Sequence, residues 1–274
     1  VDGIHSAGSA GRIDTSVVHP ARRYDYWLGG KDNFAADRES GDAVAAAFPA
    51  VRIAAVENRR FLRRAVAYLT GEAGIRQFLD IGTGIPAADN THEVAQAIAP
   101  DARVVYVDND PIVLAHARAL LTGAAAGRTA YLDADLREPK KILEHPDLLA
   151  TLDLDRPVAL MLVAVLHFLR DEDDPAAVVR RLVDALPSGS YLVVSHATMD
   201  FLPPEVVVRI REVMTPAQGP FVPRDRDGVA RFLTGLELVP PGIGSLVDWR
   251  PDRAPEDRPC AADVSGYGAV ARKP

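Results

Sequence analysis

Short apolar runs alternate with amphipathic stretches along most of this chain. Phe78, Leu79 and Ile81, then Val104 to Val107, Thr129 to Leu132, Val158 to Val163 and Tyr191 to Ser195, each read as a buried strand. The fourth is so apolar that it belongs at the centre of a sheet. Leu236 to Val239 and Tyr267 to Ala271 read as two more, separated by a Pro/Gly-rich connection. Helix signals fall between the strands. Asn90-Thr-His-Glu93 has the cap residue and the acid three positions on of a capping box, starting a helix that runs to about Ala99. Asp110-Pro111 and Asp174-Pro175 each join a capping acid to a proline at the first helical position, predicting helices to about Leu121 and Leu186. Pro204 to Met214 and Asp227 to Leu233 read as further helices.

Two helices precede the first strand, Asp32 to Phe48 and Val51 to Leu69. In the second, Val51, Ala55, Leu62, Ala65 and Leu69 fall near one face, and most of its arginines lie elsewhere. Placed before the sheet begins, the pair is expected to cap or brace it rather than cross over within it. The chain thus divides into a flexible tail (1–13), a helical cap or lid (14–70) and a main domain (71–274). Strands alternating with helices imply an α/β, Rossmann-like fold: a mostly parallel sheet, right-handed crossovers and helices on both faces. Ligands of such sheets bind beyond the carboxyl ends of the strands.

The candidate chemistry sits at those ends. Asp80, Gly82, Thr83 and Gly84 close the first strand, and the two glycines let backbone come close to a ligand. Asp108, followed by Asn109, ends the second, where a carboxylate can accept both hydroxyls of a ribose. Asp135, followed by Leu136, comes after the third, placed to accept from an exocyclic amine such as that of adenine. Val163 and Ala164 end the fourth, where backbone carbonyls can receive an ammonium. Gly82-Thr-Gly84-Ile-Pro-Ala87 also satisfies the G-x-G-x-x-A pattern of dinucleotide oxidoreductases. The cap signal at Asn90 argues against that reading, since it leaves Ala87 in a loop and no helix N-terminus near the glycines for a pyrophosphate. Asp80 would also repel phosphate. A ligand with ribose, adenine and an amino-acid ammonium but no phosphate fits better, which describes S-adenosylmethionine.

Composition narrows the classes. With 274 residues, 48% of them hydrophobic and 25% charged, the chain resembles an ordinary globular protein large enough for one α/β domain with a helical extension. No apolar run reaches the ~18 residues of a membrane span, and no hydrophobic leader follows Val1. A single cysteine, Cys260, fits a reducing cytoplasm. A net charge of −7 without a Lys/Arg block argues against non-specific nucleic-acid binding, and no His/Cys spacing suggests a metal site.

At Asp80-Ile-Gly-Thr-Gly84 and Val105-Tyr-Val-Asp108-Asn-Asp-Pro111 the sequence resembles motifs I and II of the class I S-adenosylmethionine-dependent methyltransferases. More narrowly, Arg22-Arg-Tyr-Asp-Tyr-Trp-Leu-Gly-Gly-Lys-Asp-Asn33, Asn90-Thr-His-Glu-Val-Ala-Gln96 and the ending Gly268-Ala-Val-Ala-Arg-Lys-Pro274 are similar to an actinobacterial S-adenosyl methyltransferase family first catalogued as a domain of unknown function. The resemblance runs from about Ser16 to the last residue. It implies a seven-stranded sheet with the last strand antiparallel and an S-adenosylmethionine cofactor, and leaves the substrate open. Motif I here has two glycines where many class I enzymes have three.

The N-terminal cluster then reads as a lid, with Tyr24, Tyr26 and Trp27 over the ligand, Gly29-Gly30 turning the chain, and Arg23 or Lys31 pairing with the ligand carboxylate. His167, just past the fourth strand, is the candidate general base, and His196 is a weaker one. The expected reaction is methyl transfer to a small-molecule acceptor walled by the N-terminal helices and Met199 to Phe221. A binding or regulatory protein that keeps the nucleoside pocket without methyl transfer is the alternative.

Overall fold

The structure is a computed structural model that describes residues 14–120 and 127–274. The expected tail and the predicted end of the helix at Leu121 lie outside the described residues. In chain order the elements are α1 (Pro20–Trp27), α2 (Ala35–Ala47), α3 (Val51–Gly71), β1 (Gln77–Ile81), α4 (Thr91–Ile98), β2 (Arg103–Asp108), α5 (Pro111–Leu120) and β3 (Arg128–Asp133). There follow α6 (Pro139–Leu143), α7 (Pro146–Thr151), β4 (Ala159–Val163), α8 (Pro175–Asp184), β5 (Tyr191–Ala197) and α9 (Pro204–Val213). The last are α10 (Arg226–Ala230), β6 (Glu237–Leu238), β7 (Gly244–Ser245), α11 (Ala261–Val264) and β8 (Gly266–Arg272).

The sheet order is β3-β2-β1-β4-β5-β8-β6, with the two-residue β7 also paired to β8. The first five strands in that order run parallel, and β8 runs antiparallel to β5, β6 and β7. The antiparallel last strand is as expected; β7 is one strand more than expected. The chain winds outward from β1 to β3, then returns to the other side of β1 as β4. That reversal opens a crevice between the ends of β1 and β4.

Alternating side chains of the central strands feed two cores. Leu79, Ile81, Val105, Val107, Leu160 and Leu162 face a layer that includes Val178, Val179 and Leu182 of α8. Phe78, Val104, Tyr106, Ala159, Met161 and Val163 face Phe61, Leu62, Ala65, Val66 and Leu69 of α3. Burial on both faces is why these strands read as continuous apolar runs. Truncating a fully buried residue such as Leu79 or Met161 costs about 2–5 kcal/mol. The α3 helix is therefore one layer of the sandwich, whereas α1 and α2 lie over its rim. The predicted caps form: Asn90 and Glu93 make a reciprocal capping box, and Asp174 accepts from the Ala177 amide at the start of α8. No helix among the described residues is long and apolar enough to cross a membrane.

Candidate functional site

A cleft of about 540 Å³ opens at the carboxyl ends of β1, β2, β4 and β5, roofed by α1, α2 and the chain from Met199 to Phe221. Asp80, Gly82, Thr83, Gly84, Asp108, Asn109, Asp135, Leu136, Val163, Ala164, His167 and Tyr24 all line it. The sequence-derived rim residues therefore converge.

On the β1 side, Asp80 shares the strand face of Phe78 and is buried, its Oδ2 accepting from Thr91 Oγ1 at 2.6 Å. Burial raises its pKa to about 6, against the opposing pull of the Thr91 hydrogen bond and the Arg59 charge. Gly82 has φ +75°, and a Cβ there would meet Val165 Cγ2 at 2.4 Å. Only glycine lets the chain turn this close to the β4 loop. Gly84 donates its amide to Asp108 Oδ2 at 2.8 Å, and the Asp110 amide reaches Oδ1 at 2.9 Å. These amides aim the Asp108 carboxylate while leaving it further lone pairs for a ligand; burial raises its pKa. Because α4 begins at Thr91, Ala87 lies in the loop, outside any helix a dinucleotide fingerprint would need.

At the end of β4, Ala164 adopts φ +56°, a left-handed conformation that costs a non-glycine residue about 1–2 kcal/mol. A hydrogen-bonded thread holds it. The Ala164 amide donates to Ser195 Oγ (2.8 Å), Ser195 Oγ to Asn58 Oδ1 (2.6 Å), Asn58 Nδ2 to Tyr24 Oη (2.9 Å), and Tyr24 Oη to the Ala55 carbonyl (2.8 Å). Asp135 is more engaged than its sequence position suggested. Arg137 Nε donates to it at 2.9 Å and Asn109 Nδ2 at 3.2 Å, and these contacts, the Arg137 bonds first, lower its pKa. Leu136 beside it is buried.

The roof departs from expectation. The aromatic stretch, expected to cover the ligand as a lid, forms the helix α1, and it divides by face. Tyr24, Trp27 and Arg23 line the cleft; Tyr26, Gly30 and Lys31 do not. Tyr26 Oη binds Asp42 at 2.7 Å and its ring lies under Arg52. Gly30 is glycine because a Cβ would strike the Asp25 carboxylate, which accepts from the Asp32 amide (3.0 Å) and Asn33 Nδ2 (2.8 Å) to close the turn. Lys31 is exposed on that turn. These three residues shape the roof and lie outside the cleft lining. The roof is fastened by Arg22, buried on α1, whose Nε and Nη2 reach Asp110 at 3.0 and 3.1 Å.

His167 lies in the cleft with one ring nitrogen already engaged. Its Nδ1 accepts from the Ala197 amide at 3.3 Å, which places the proton of the neutral ring on Nε2. Burial, then the nearby His196 and Arg23, push its pKa well down. A ring with its one lone pair so engaged is poorly set to act as a general base, and that expectation gives way to one of orientation by donation. His196 is the opposite tautomer: Nδ1 donates to the Ala197 carbonyl (2.8 Å), Nε2 faces Arg224 Nη1 (3.3 Å), and burial brings its pKa to about 4. Arg224 also donates to the Leu166 and Leu169 carbonyls, pinning the loop after β4.

Sequence reasoning missed Asn58, Arg59, Ser195 and Arg224. Arg59, on α3, donates to the Ala88 carbonyl (2.7 Å), while its buried Nε has no partner among the described residues. The arginine-rich side of α3 was the available signal.

The chain matches the family model described as S-adenosyl methyltransferase over residues 6–274. Among solved structures it is similar to a duf574 family protein from Streptomyces avermitilis, at 51% identity over 96% of this chain and 100% of that one, with a TM-score of 0.92. It is also similar to a candidate methyltransferase from Thermobifida fusca, at 41% identity over 98% and 99% of the two chains, with a TM-score of 0.88. The magnesium protoporphyrin IX methyltransferase of Synechocystis, crystallised with S-adenosylhomocysteine, shares the fold at 15% identity, covering 92% of this chain and 93% of its own, with a TM-score of 0.55. No curated protein matches. With motif I, motif II and the sheet order all in place, the chain belongs to the S-adenosyl methyltransferase family and is an S-adenosylmethionine-dependent methyltransferase.

Proposed function

We propose that this cleft holds S-adenosylmethionine across the β1/β4 switch and passes its methyl group to a small molecule seated beneath the roof. The observation that carries the reading is the meeting of Asp80, Asp108 and the left-handed Ala164 at one crevice. The residues present fit the cofactor's parts. Asp108 takes the ribose hydroxyls, and Asn109, Asp135 and Leu136 take the adenine. Asp80 with the Val163 and Ala164 carbonyls receives the ammonium. Arg59, whose buried Nε is unpartnered among the described residues and whose field reaches Asp80, receives the methionine carboxylate.

When bound, the sulfonium supplies an activated methyl group with its leaving group built in. The chain's own task is then alignment and exclusion of water. Tyr24 and Trp27 cover the cleft, and the thread through Asn58 and Ser195 fixes the β4 end. His167 donates from Nε2 to orient the acceptor. The single exposed Cys260 suits a protein of the reducing cytoplasm.

Calorimetry tests the cofactor: S-adenosylmethionine and S-adenosylhomocysteine should bind and NADH should not. NADH binding in preference to both would sink the reading. Incubation with methyl-labelled cofactor and fractionated metabolite pools should transfer label to a small molecule; label appearing only in protein or nucleic acid would contradict the assigned acceptor class.

A further inference from the structure

Arg23 is left over once the cofactor's polar groups have been matched. It sits on α1 at 2% exposure and lines the cleft. Its Nη1 donates to Ser40 Oγ at 3.0 Å and to the Gln218 carbonyl at 3.4 Å. Neither its buried Nε nor its Nη2 makes a hydrogen bond to any described residue. No carboxylate among the described residues forms an ion pair with it. Asp37, the acid whose field it feels, spends its oxygens on the amides of His19 (2.9 Å) and Phe34 (3.0 Å). Burial lowers the Arg23 pKa to about 10, so the group is still a cation at neutral pH. The Trp27 ring, 5.5 Å away, offsets only part of the cost of burying that charge.

The Nε/Nη2 edge, unpaired among the described residues, is a side-on fork that matches the two oxygens of a carboxylate. Its place in the cleft says whose carboxylate. Arg59 acts on Asp80, at the cofactor rim. Arg23 instead touches α2 and the chain after α9, and its field falls on His167. The walls on that side are apolar: Val44, Phe48, Ile210, Met214 and Phe221. We infer that Arg23 anchors the carboxylate of the methyl acceptor, so that the substrate class is a small, largely apolar carboxylic acid. This rests on reading the cleft as a methyl-transfer site.

The test is calorimetry on the full chain saturated with S-adenosylhomocysteine. The probes are aryl and branched-alkyl monocarboxylates, each beside its primary amide. At least one acid should bind, with its amide about 10- to 100-fold weaker. Arg23→Gln should bring the acid down to the level of the amide while S-adenosylhomocysteine affinity stays within about twofold. Arg23→Lys, which keeps the charge and so protects the fold, should also lose about tenfold because the fork is gone. Equal binding of acid and amide, unchanged acid binding in both variants, or no acid bound by the wild type would overturn the inference and leave the cofactor assignment standing. It is equally overturned if Arg23→Gln weakens S-adenosylhomocysteine about tenfold but spares 5′-methylthioadenosine, because the guanidinium then serves the methionine carboxylate. If the wild type binds no S-adenosylhomocysteine, the functional reading itself falls, and the inference with it.

Discussion

The floor and the roof of the cleft are built by different means. Most of the floor comes from adjacent strand ends: Asp80, Gly82 and Gly84 lie within one strand-turn, and Asp108 is aimed by amides at positions 84 and 110, while Ala164 alone is held from far along the chain. The roof is assembled across the chain. Arg22 meets Asp110, 88 positions away, and Arg23 meets Gln218, 195 positions away. A floor of short acids and backbone suits a ligand common to a whole family. A roof of long side chains meeting across long separations leaves room for the acceptor site to differ without disturbing the floor.

The largest expected effect lies where floor and roof join. Arg22→Ala leaves the Asp110 carboxylate buried without its guanidinium, and should cost about 3–5 kcal/mol in denaturant unfolding. A loss below about 1 kcal/mol would mean the roof is not fastened there. Next, Asp108→Ala should weaken S-adenosylhomocysteine by about 1.5–3 kcal/mol, tenfold or more, with acceptor-side contacts untouched. Unchanged affinity would remove the ribose role from the floor.

Asp80 gives a pH test. Burial holds its folded pKa near 6, above the ordinary 3.8. The folded ligand-free protein therefore binds this proton more tightly than the unfolded chain does. The stability it contributes is full below the ordinary value and is lost as pH rises towards 6. A cofactor ammonium requires the ionised form, so S-adenosylhomocysteine affinity should fall by up to about tenfold per pH unit below 6. Asp80→Asn should flatten that slope; a slope that persists places the titrating group elsewhere. Smallest of all, Tyr26→Phe should change stability by no more than about 0.5 kcal/mol and leave both ligands' affinities unchanged. A marked loss of binding would show that the outer face of α1 reaches the cleft after all.

The same contrast explains what could be read from the chain. The strand runs, the Asn90 and Asp174 caps and the acids at the strand ends are local signals, and the structure brings them together as the pattern required. The roof was legible only as composition. Tyr24 and Tyr26 are two residues apart, and on a helix that spacing sends them to different faces. The helices α6 and α7 went unread because five or six residues carry too little periodicity, and β7 because two residues carry none. The tautomer of His167 depended on an amide 30 positions on.

The thread from Ala164 to Ala55 has a direction as well as a length. Each hydroxyl in it gives one hydrogen forward and takes one from behind, and Asn58 can serve both neighbours only with its amide turned one way. Because Asn58 stands on α3 and meets Ser195 through its oxygen, loss of the Tyr24 contact would still leave Ser195 and Ala164 held. The left-handed turn at the proposed donor site is therefore secured twice, once by the Ser195 hydroxyl and once by the Ser195 carbonyl, and the roof rests on that arrangement without controlling it.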